Sequence, residues 1–424
     1  MKSGFGFLLR AMLILAGSLS HSLAGERANI IVDLNGRGNY VSIQEAINSI
    51  PDTNERDIVI LIRNGLYKEK LFIQKSHVTL VGEGWDSTRI VYAELRESWN
   101  KDHGGSDWGA GVVNIDTSVT DITLANLMVY NNYGWQEHAF NKHQFAIRGG
   151  GTRVMLLHCK VISDGGDALS LWNRENGMYY HADCYFEGWV DFVCPRGWCY
   201  ITNSEFYGHN KPSASIWHDG SHDKNQKFVI TDSHFDGVPG FTLGRNHLDA
   251  QFYLIDCRFS KRMADRPFVR PPSSAREWQW GDRHYFYNCH REGGDYAWFK
   301  DNLHEADRSP APDRITVEWT FGGKWDPEAA MPSVLPFAFL PSPGRNAVGV
   351  KADGPILSWI PGRNADLHRA YFGTTNPPEF KREQKEAVFA LELLKPNTTY
   401  FWRIDEVTEN GGVQGEVWSF KTRW

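Results

Sequence analysis

The sequence predicts an all-β protein in which a long solenoid of parallel strands is followed by a small β-sandwich. Six short strand-like segments share one motif at intervals of about one solenoid coil. Residues 111–321 contain short strand patterns divided by Gly, Asp and Asn turns, with very little helical periodicity. Residues 347–424 show alternating strand patterns at the spacing of a sandwich.

Each of the six repeated segments has β-forming residues, then His, Asp or Asn, and then a Cys or Ser. These small residues are Cys159, Cys184, Ser204, Ser233, Cys257 and Cys289. One small residue per coil at the same point predicts a bend at which the side chains stack inward. We therefore interpret the repeated cysteines as buried thiols, which leaves Cys194 and Cys199 as a candidate disulfide pair. The absence of paired Cys-x-x-Cys motifs argues against a zinc site.

The first 24 residues have the pattern of a secretory signal. Lys2 and Arg10 are followed by the apolar stretch 11–19, which is too short to span a bilayer. Residues 22–24 then offer small side chains at the cleavage positions. The alternative is a buried N-terminal helix. We expect a secreted or periplasmic protein without a membrane span.

Composition and charge narrow the classes of partner. The 424 residues are 41% hydrophobic and 23% charged, which is typical of a globular protein. The formal net charge of -6 argues against a broad nucleic-acid or anionic-membrane surface, but it allows a local arginine in an anion-binding cleft. The 17 tryptophans are many for this length and are compatible with aromatic faces that stack on sugar rings.

A short helix is expected to close the N-terminal end of the solenoid. Ser42-Ile-Gln-Glu45 fits a capping box, and the apolar residues around it fall on one helical face. Strands are expected at 29–32, 57–62 and 77–81, with Gly65-Leu-Tyr-Lys-Glu69 between the last two. An open solenoid end needs such a cap.

A proline-rich stretch divides the chain. We expect residues 28–335 to form the solenoid domain, 336–346 a linker and 347–424 the sandwich. Leu394–Arg403 resembles the tyrosine-corner segment of fibronectin type III domains, with Tyr400 as the corner residue. The resemblance implies a spacer or a module for attachment to a cell surface, a sugar or another protein, and fold analogy does not choose among these.

Three charged residues at strand ends are candidate catalytic groups from the residues alone. Asp191 lies within an otherwise apolar strand, where burying an unpaired charge is costly. Asp167 stands at a turn-to-strand junction, and Arg245 could pair with a carboxylate. The ordinary alternatives are a solvated aspartate on the outer face of a strand and a simple turn aspartate.

Five motifs resemble, in order, those of pectin methylesterases of the right-handed parallel β-helix type. The motifs are Gly65–Glu69, Gln144–Arg148, Gly166–Leu169, Gly188–Phe192 and Leu243–Arg245. Each motif alone is weak, whereas five in the family's order are specific. The resemblance spans residues 30 to about 330 and implies a right-handed parallel β-helix, hydrolysis of methyl esters in homogalacturonan (pectin), and no cofactor or metal ion.

The resemblance also implies a role for each matching residue. Asp191 would be the nucleophile, and Asp167 the general acid and then base. Gln144 would donate its amide to the tetrahedral oxyanion. Arg245 would keep Asp191 ionised and oriented.

The chain departs from the family's pattern next to the site. Gly166 stands where the family has a glutamine that helps to bind the oxyanion, so we expect a backbone N–H at Gly165 or Gly166 to substitute. Trp189 replaces a small residue beside the nucleophile, and we expect it to contact substrate. His247 stands where the family has an aromatic residue, and it is either a weak sugar contact or a surface histidine.

These departures keep other functions open. A catalytically weak or inactive pectin-binding protein on the same scaffold would show affinity without turnover. A pectate lyase shares the β-helix but would need calcium-binding acidic clusters, and the sequence offers none near Arg245.

Overall fold

The computed structural model describes residues 29–211, 214–218, 220–221, 223–246, 248, 251–268, 283–330, 334–409 and 411–424. The expected signal at residues 1–24 lies outside them. Short α-helices lie at Ile43–Asn48, Arg96–Asp102, Tyr133–Glu137, Val317–Phe321 and Pro327–Ala330, and 3-10 turns at Ala297–Phe299, Leu303–Glu305 and Pro312–Arg314. In these ranges, no helix has the length and apolar character needed to cross a membrane.

Three parallel sheets form a β-helix, and successive coils pass from sheet 1 to sheet 2 to sheet 3. Sheet 1 contains Ile30–Val32, Ile58–Ile62, Val78–Gly82, Thr120–Ala125, Thr152–Leu157, Met178–Ala182, Trp198–Thr202, Lys227–Thr231, Gln251–Ile255 and His284–Tyr287. Sheet 2 contains Gly65–Tyr67, Thr88–Tyr92, Met128–Asn131, Lys160–Ser163, Tyr185–Gly188, Glu205–Gly208, His234–Gly237, Arg258–Phe259 and His290–Arg291. Sheet 3 contains Leu71–Ile73, Val113–Ile115, Ile147–Gly149, Leu169–Trp172, Val193–Arg196, Ala214–His218 and Thr242–Asn246.

The bend between sheet 1 and sheet 2 explains the repeated sequence motif. The residue before each Cys or Ser has a positive φ, and these residues are His158, Asp183, Asn203, Asp232, Asp256 and Asn288. Asn and Asp tolerate this left-handed conformation better than other residues with a side chain. The Cys or Ser that follows is buried in every coil, so the expected inward stack is confirmed.

The thiols of this stack are free and buried. The Sγ of Cys159 donates to the Leu124 carbonyl of the preceding coil at 3.3 Å, and Cys184 donates to Leu156 in the same way at 3.4 Å. Burial raises the pKa of Cys159 to about 12. Cys194 and Cys199 are also buried and free, so they do not form the disulfide that was a candidate.

The N-terminal cap forms as expected but uses a distant acid. Ser42 is the N-cap of the helix Ile43–Asn48. The carboxylate that reaches it belongs to Glu69, whose Oε2 accepts from the Ser42 hydroxyl at 2.6 Å and whose Oε1 accepts from the Ile43 N–H at 3.1 Å. The motif Gly65–Glu69 is thus structural here, because it joins the helix to the first coil.

The C-terminal residues form two further sheets. One contains Phe339–Ser342, Ile356–Ile360 and Val388–Ala390, and the other contains Ala347–Val350, Leu367–Gly373, Phe380–Gln384, Thr399–Thr408, Gly411–Val413 and Trp418–Thr422. Most of these strands pair antiparallel, which is the arrangement expected for a small sandwich. Part of the expected linker 336–346 is a strand, because Phe339–Ser342 pairs with Ile356–Ile360. The Tyr400 hydroxyl accepts from the Lys395 N–H at 2.9 Å.

Candidate active site

Two aspartates from adjoining coils face each other where the chain enters sheet 3. Leu169 pairs with Val193, so Asp167 and Asp191, each two residues earlier, occupy equivalent positions. The Asp167 N–H donates to the Val190 carbonyl at 2.9 Å. This hydrogen bond joins the bend that contains Asp167 to the bend that contains Asp191. Both aspartates have a positive φ, 59° for Asp167 and 46° for Asp191. The bends therefore project two carboxylates from neighbouring strands, which lie about 4.8 Å apart in a parallel sheet.

Arg245 reaches Asp191 from a more distant strand of sheet 3. Its Nε donates to Asp191 Oδ1 at 2.9 Å, and its Nη2 pairs with the other carboxylate oxygen. Asp191 is almost completely buried, while the Arg245 side chain keeps 28% of its surface exposed. A bidentate guanidinium orients a carboxylate and favours its charged form. The structure thus brings together the three charged residues singled out in the sequence.

Burial raises the pKa values of both aspartates. The pKa of Asp191 is raised to about 7 by burial, against the opposing effect of Arg245, and the charge of Asp167 raises it further. Burial also raises the pKa of Asp167, while the positive charges of His143 and Arg196 oppose the shift. Two close carboxylates titrate as a coupled pair, and Arg245 hydrogen-bonds to one of them. We therefore expect the shared proton to reside on Asp167.

The side-chain amide of Gln144 makes two hydrogen bonds to the backbone of a nearby segment. Gln144 is fully buried, and its Oε1 accepts from the Gly134 N–H at 3.0 Å while its Nε2 donates to the Ala139 carbonyl at 3.0 Å. Both contacts hold the segment that contains the helix Tyr133–Glu137. Gln144 thus clamps this segment with its carbonyl oxygen and with one of the two N–H groups of its amide.

The backbone N–H expected at Gly166 is also engaged. It donates to the Lys142 carbonyl at 2.8 Å, and the neighbouring Gly165 N–H donates to the Ser163 hydroxyl at 3.0 Å. This corrects the expectation that Gly166 offers a donor to the oxyanion. A Cβ on Gly166 would lie 2.9 Å from the Val190 carbonyl oxygen, so the close approach of the two coils explains the glycine.

Trp189 lies beside Asp191 but is partly covered by other rings. It stacks on His209 with ring centroids 5.4 Å apart and meets Phe140 at 5.7 Å. Phe140 is 40% exposed, and Trp135 on the neighbouring helix is 68% exposed. His247 lies outside the described residues.

Sequence reasoning missed a second set of charged residues on sheet 3. The guanidinium groups of Arg148 and Arg196 both contact the Trp172 ring, and those of Arg196 and Arg245 both approach the Trp217 ring. The signal was present, because an Arg or Trp recurs at about one coil's interval along these strands. Their contact depends on the register between strands, which the sequence alone does not define.

A separate cluster joins the β-helix to the C-terminal sheets. His158, Asp183 and Glu416 place ligand atoms within 4.8 Å of one another, which is close enough for a metal ion. The Arg345 guanidinium, however, contacts Asp183 and Glu416 at 2.7 Å each. An arginine thus already balances the charge of these acids.

The fold and the buried acid pair define a parallel β-helix protein with a carboxylate-based site. Comparison with known proteins gives the family: the pectinesterase family model matches residues 29–250. The chain belongs to the pectinesterase family, which confirms the family expected from its motifs and, with it, the class of enzyme.

Individual relatives are distant. A probable pectinesterase of Arabidopsis thaliana, number 67, is 23% identical over 328 residues, covering 73% of this chain and 88% of the relative. A probable pectinesterase/pectinesterase inhibitor of the same plant, number 58, is 27% identical over 51% of this chain, and the match spans 37% of that relative. Several other matched relatives are covered over about half of their length.

Solved structures share the fold. Pectin methylesterase from carrot superimposes with a TM-score of 0.56 at 17% identity, covering 74% of this chain and 98% of that one. A pectin methylesterase in complex with a hexasaccharide gives 0.58 at 20% identity, covering 71% and 99%. These similarities show the parallel β-helix fold.

Proposed function

We propose that the chain hydrolyses methyl esters of homogalacturonan and releases methanol. The observation that carries the proposal is the pair of buried aspartates on adjoining coils, one of which Arg245 binds through two hydrogen bonds. Family membership supports the reaction class, and two of the solved relatives are complexes with hexasaccharides.

In the proposed reaction Asp191 is the nucleophile. Its carboxylate oxygen attacks the ester carbonyl carbon and forms a tetrahedral intermediate. The bond from this carbon to the methoxy oxygen then breaks, and Asp167 donates its proton so that methanol leaves. The product on the enzyme is an acyl anhydride on Asp191.

Asp167, now ionised, completes the cycle as a base. It takes a proton from water, and the resulting hydroxide attacks the acyl carbon and releases both the galacturonate and the Asp191 carboxylate. This requires one acid to be charged while the other holds a proton. The arrangement of Arg245 on one side of the pair meets this requirement.

We propose that Arg245 contributes to stabilising the negative charge of the intermediate. The Gly166 N–H and one of the two N–H groups of the Gln144 amide have partners within the protein. Arg245 uses two of its five N–H donors on Asp191 and is partly exposed, so others can bind the oxyanion next to the nucleophile. Gln144 then acts as a positioning residue that holds the segment over the site.

The test is methanol release from pectins of different degrees of esterification. We expect turnover by the wild-type protein and none above background by Asp191→Asn or Asp167→Asn. Retained turnover in Asp191→Asn would remove the proposed nucleophile, and no methanol from any pectin would remove the function.

A second candidate is a pectin-binding protein with little or no turnover. The engaged N–H of Gly166 favours it, since losing an oxyanion donor can cost about 10²–10³ in rate. Affinity for pectin without methanol release, unchanged in Asp167→Asn, would support it. An unsaturated product that depends on Ca²⁺ would instead indicate a pectate lyase.

We also propose that residues 1–24 direct export and that 28–335 form the catalytic unit. In this proposal 347–424, together with Phe339–Ser342, form a fibronectin type III-like unit that is a spacer or attachment module. The Tyr400 hydroxyl contact with the Lys395 backbone supports the comparison with a tyrosine corner. Amino-terminal sequencing of the exported protein tests the first claim. Truncation after Pro343, with activity measured on soluble and cell-wall pectin, tests the last.

A further inference from the structure

Two stacked rings leave the end of sheet 2 next to the acid pair. Gly188 pairs with Gly208, so Trp189 and His209, which follow them, occupy equivalent positions on neighbouring coils. Their ring centroids lie 5.4 Å apart at an angle of 23°, which is the arrangement expected for rings on adjoining parallel strands about 4.8 Å apart. Trp189 precedes Asp191 by two residues, so whatever holds this ring acts beside the acid pair.

The imidazole of His209 is held by an acid of the preceding coil. Its Nε2 lies 2.6 Å from Glu187 Oε1, and the Tyr185 hydroxyl donates to the other carboxylate oxygen at 2.7 Å. Burial raises the pKa of Glu187, but the hydrogen bonds from His209 and Tyr185 hold it below its ordinary value. A charged carboxylate forms a strong hydrogen bond with a ring N–H. The His209 ring is thus bound at one edge and stacked on one face, and the Tyr207 ring meets it at 5.0 Å.

The second ring beside Trp189 belongs to a segment that is anchored independently. The Phe140 ring centroid lies 5.7 Å from that of Trp189. Asp164 occupies the position of Trp189 one coil earlier. Its carboxylate accepts from the Trp135 N–H at 2.7 Å, and its carbonyl accepts from the Asn141 N–H at 3.0 Å. The backbone is therefore held on both sides of Phe140. We call the two rings of Phe140 and Trp189 the aromatic wall.

The aromatic wall keeps surface that a ligand can contact. Phe140 is 40% exposed, and Trp189 remains half-buried although His209 covers part of it. Aromatic rings bury a large area against an apolar surface, such as one face of a sugar ring, without needing a charge. Rings that are already held lose little conformational freedom when a ligand binds, so their supports contribute to affinity.

We propose that His209, which Glu187 holds, is a positioning residue: it fixes the Trp189 ring as part of a preformed wall on which the ester-bearing sugar packs. The inference rests on the proposed esterase function, since this sugar is the one that Asp191 attacks. In this proposal His209 and Glu187 touch neither substrate nor reacting atoms and act through Trp189. Their loss therefore weakens substrate binding and leaves the chemistry of the acid pair unchanged.

The experiment is a double-mutant cycle between His209→Ala and Trp189→Ala, measured by methanol release from pectin. We expect His209→Ala to raise KM about three- to tenfold with little change in kcat, because the support of the ring is lost. In the Trp189→Ala background the same substitution should change KM by less than about twofold, since the ring that it positions is absent. His290→Ala, which breaks a histidine–aspartate pair elsewhere on sheet 2, is the matched control and should leave both constants unchanged.

Two conservative variants separate the stack from the hydrogen bond. His209→Phe keeps a ring on Trp189 but loses the contact with Glu187, and Glu187→Gln keeps the imidazole but removes the charge of its partner. Each should raise KM by less than His209→Ala does. Glu187→Gln should have little further effect in the His209→Phe background. These variants also test the proposal if His209→Ala does not fold, which circular dichroism reveals.

A spectroscopic measurement does not depend on turnover. In protein labelled with fluorotryptophan, the fluorine resonance that is lost in Trp189→Phe belongs to Trp189. His209→Ala should shift this resonance, because it removes the ring stacked on Trp189. A methyl-esterified oligogalacturonide should also shift it, and His209→Ala should need a higher concentration of the oligosaccharide for the same shift.

The outcomes separate the two proposals. An unchanged KM in His209→Ala, or a KM effect that persists in the Trp189→Ala background, would overturn the positioning role and leave the esterase. A Trp189 resonance that does not respond to His209→Ala would overturn it as well. If no pectin yields methanol, the esterase is removed. The oligosaccharide titration then decides by itself whether His209 positions Trp189 for a sugar.

Discussion

Asp183 and Asp191 are both buried, both left-handed at a bend and both bound by an arginine, yet their pKa values are shifted in opposite directions. Arg345 and His158 contact Asp183 at 2.7 and 2.9 Å, and although burial raises its pKa, these partners together hold it below the ordinary value. Asp191 has Arg245 but also the like charge of Asp167, and burial raises its pKa to about 7. Burial alone therefore does not mark a functional acid, because the balance of partners decides whether it stays charged.

The largest difference in activity between the two sites is expected when each aspartate is replaced by asparagine. Asp191→Asn should lower methanol release by on the order of 10³-fold or more, because the proposed nucleophile is lost. Asp183→Asn should keep the activity of each folded molecule. Activity per folded protein, normalised by circular dichroism, checks both, and equal losses would contradict the distinction.

Removal of the structural arginine should have the next largest effect. Arg345→Gln leaves Asp183 and Glu416 without their cation, and we expect a loss of about 3 kcal/mol in the free energy of unfolding. The measurement is denaturant unfolding. Arg369→Gln, which breaks an exposed pair with Glu383, is the control and should cost about 1 kcal/mol or less. Similar losses in both variants would show that the buried contacts of Arg345 stabilise the fold no more than the exposed pair of Arg369 and Glu383.

Arg245, which binds Asp191, should influence the pH dependence of the reaction. The wild-type kcat/KM should fall as the pH drops through about 7, because Asp191 then takes up a proton and is no longer a nucleophile. In Arg245→Gln the pKa of Asp191 rises further, so this limb should move to higher pH by about one unit. A profile that keeps its midpoint in the variant would show that Arg245 does not set the charge of Asp191.

The smallest effect is expected at Gly166. Gly166→Gln should not restore an oxyanion donor, because its Cβ would press on the Val190 carbonyl oxygen and displace the bend that carries Asp191. We expect a loss of about 1–3 kcal/mol in stability and lower activity. Gly166→Ala is the matched control and should show the same steric cost. A gain in activity specific to Gln would restore the amide hypothesis.

The parallel solenoid could be predicted from the sequence because each coil repeats a local requirement. Each bend needs a residue that tolerates positive φ, such as Asp183, followed by a small residue, such as Cys184. Both residue types can be recognised in the sequence. The acids of the site were visible as candidates, and the family resemblance selected them.

The parts that could not be predicted depend on contacts between distant segments. The Gln144 amide points to residues 134 and 139 because a local helix folds over it, and no spacing rule reveals that. The contacts between the arginines and tryptophans of sheet 3 require the pairing of strands about a coil apart. Glu69 caps the helix Ile43–Asn48, and its contact with the Gln44 N–H spans 25 residues of sequence. The sequence pattern instead predicted that Glu45 would cap this helix in a capping box with Ser42.

The buried thiols provide an internal reporter of unfolding. Cys159, Cys184, Cys257 and Cys289 mark successive depths along the β-helix, and none of them forms a disulfide. Because an enclosed thiol reacts with alkylating agents only when its coil opens, the labelling rates at these positions give the local stability of each coil. A gradient of rates would indicate fraying from one end, and a single common rate would indicate that the coils open together.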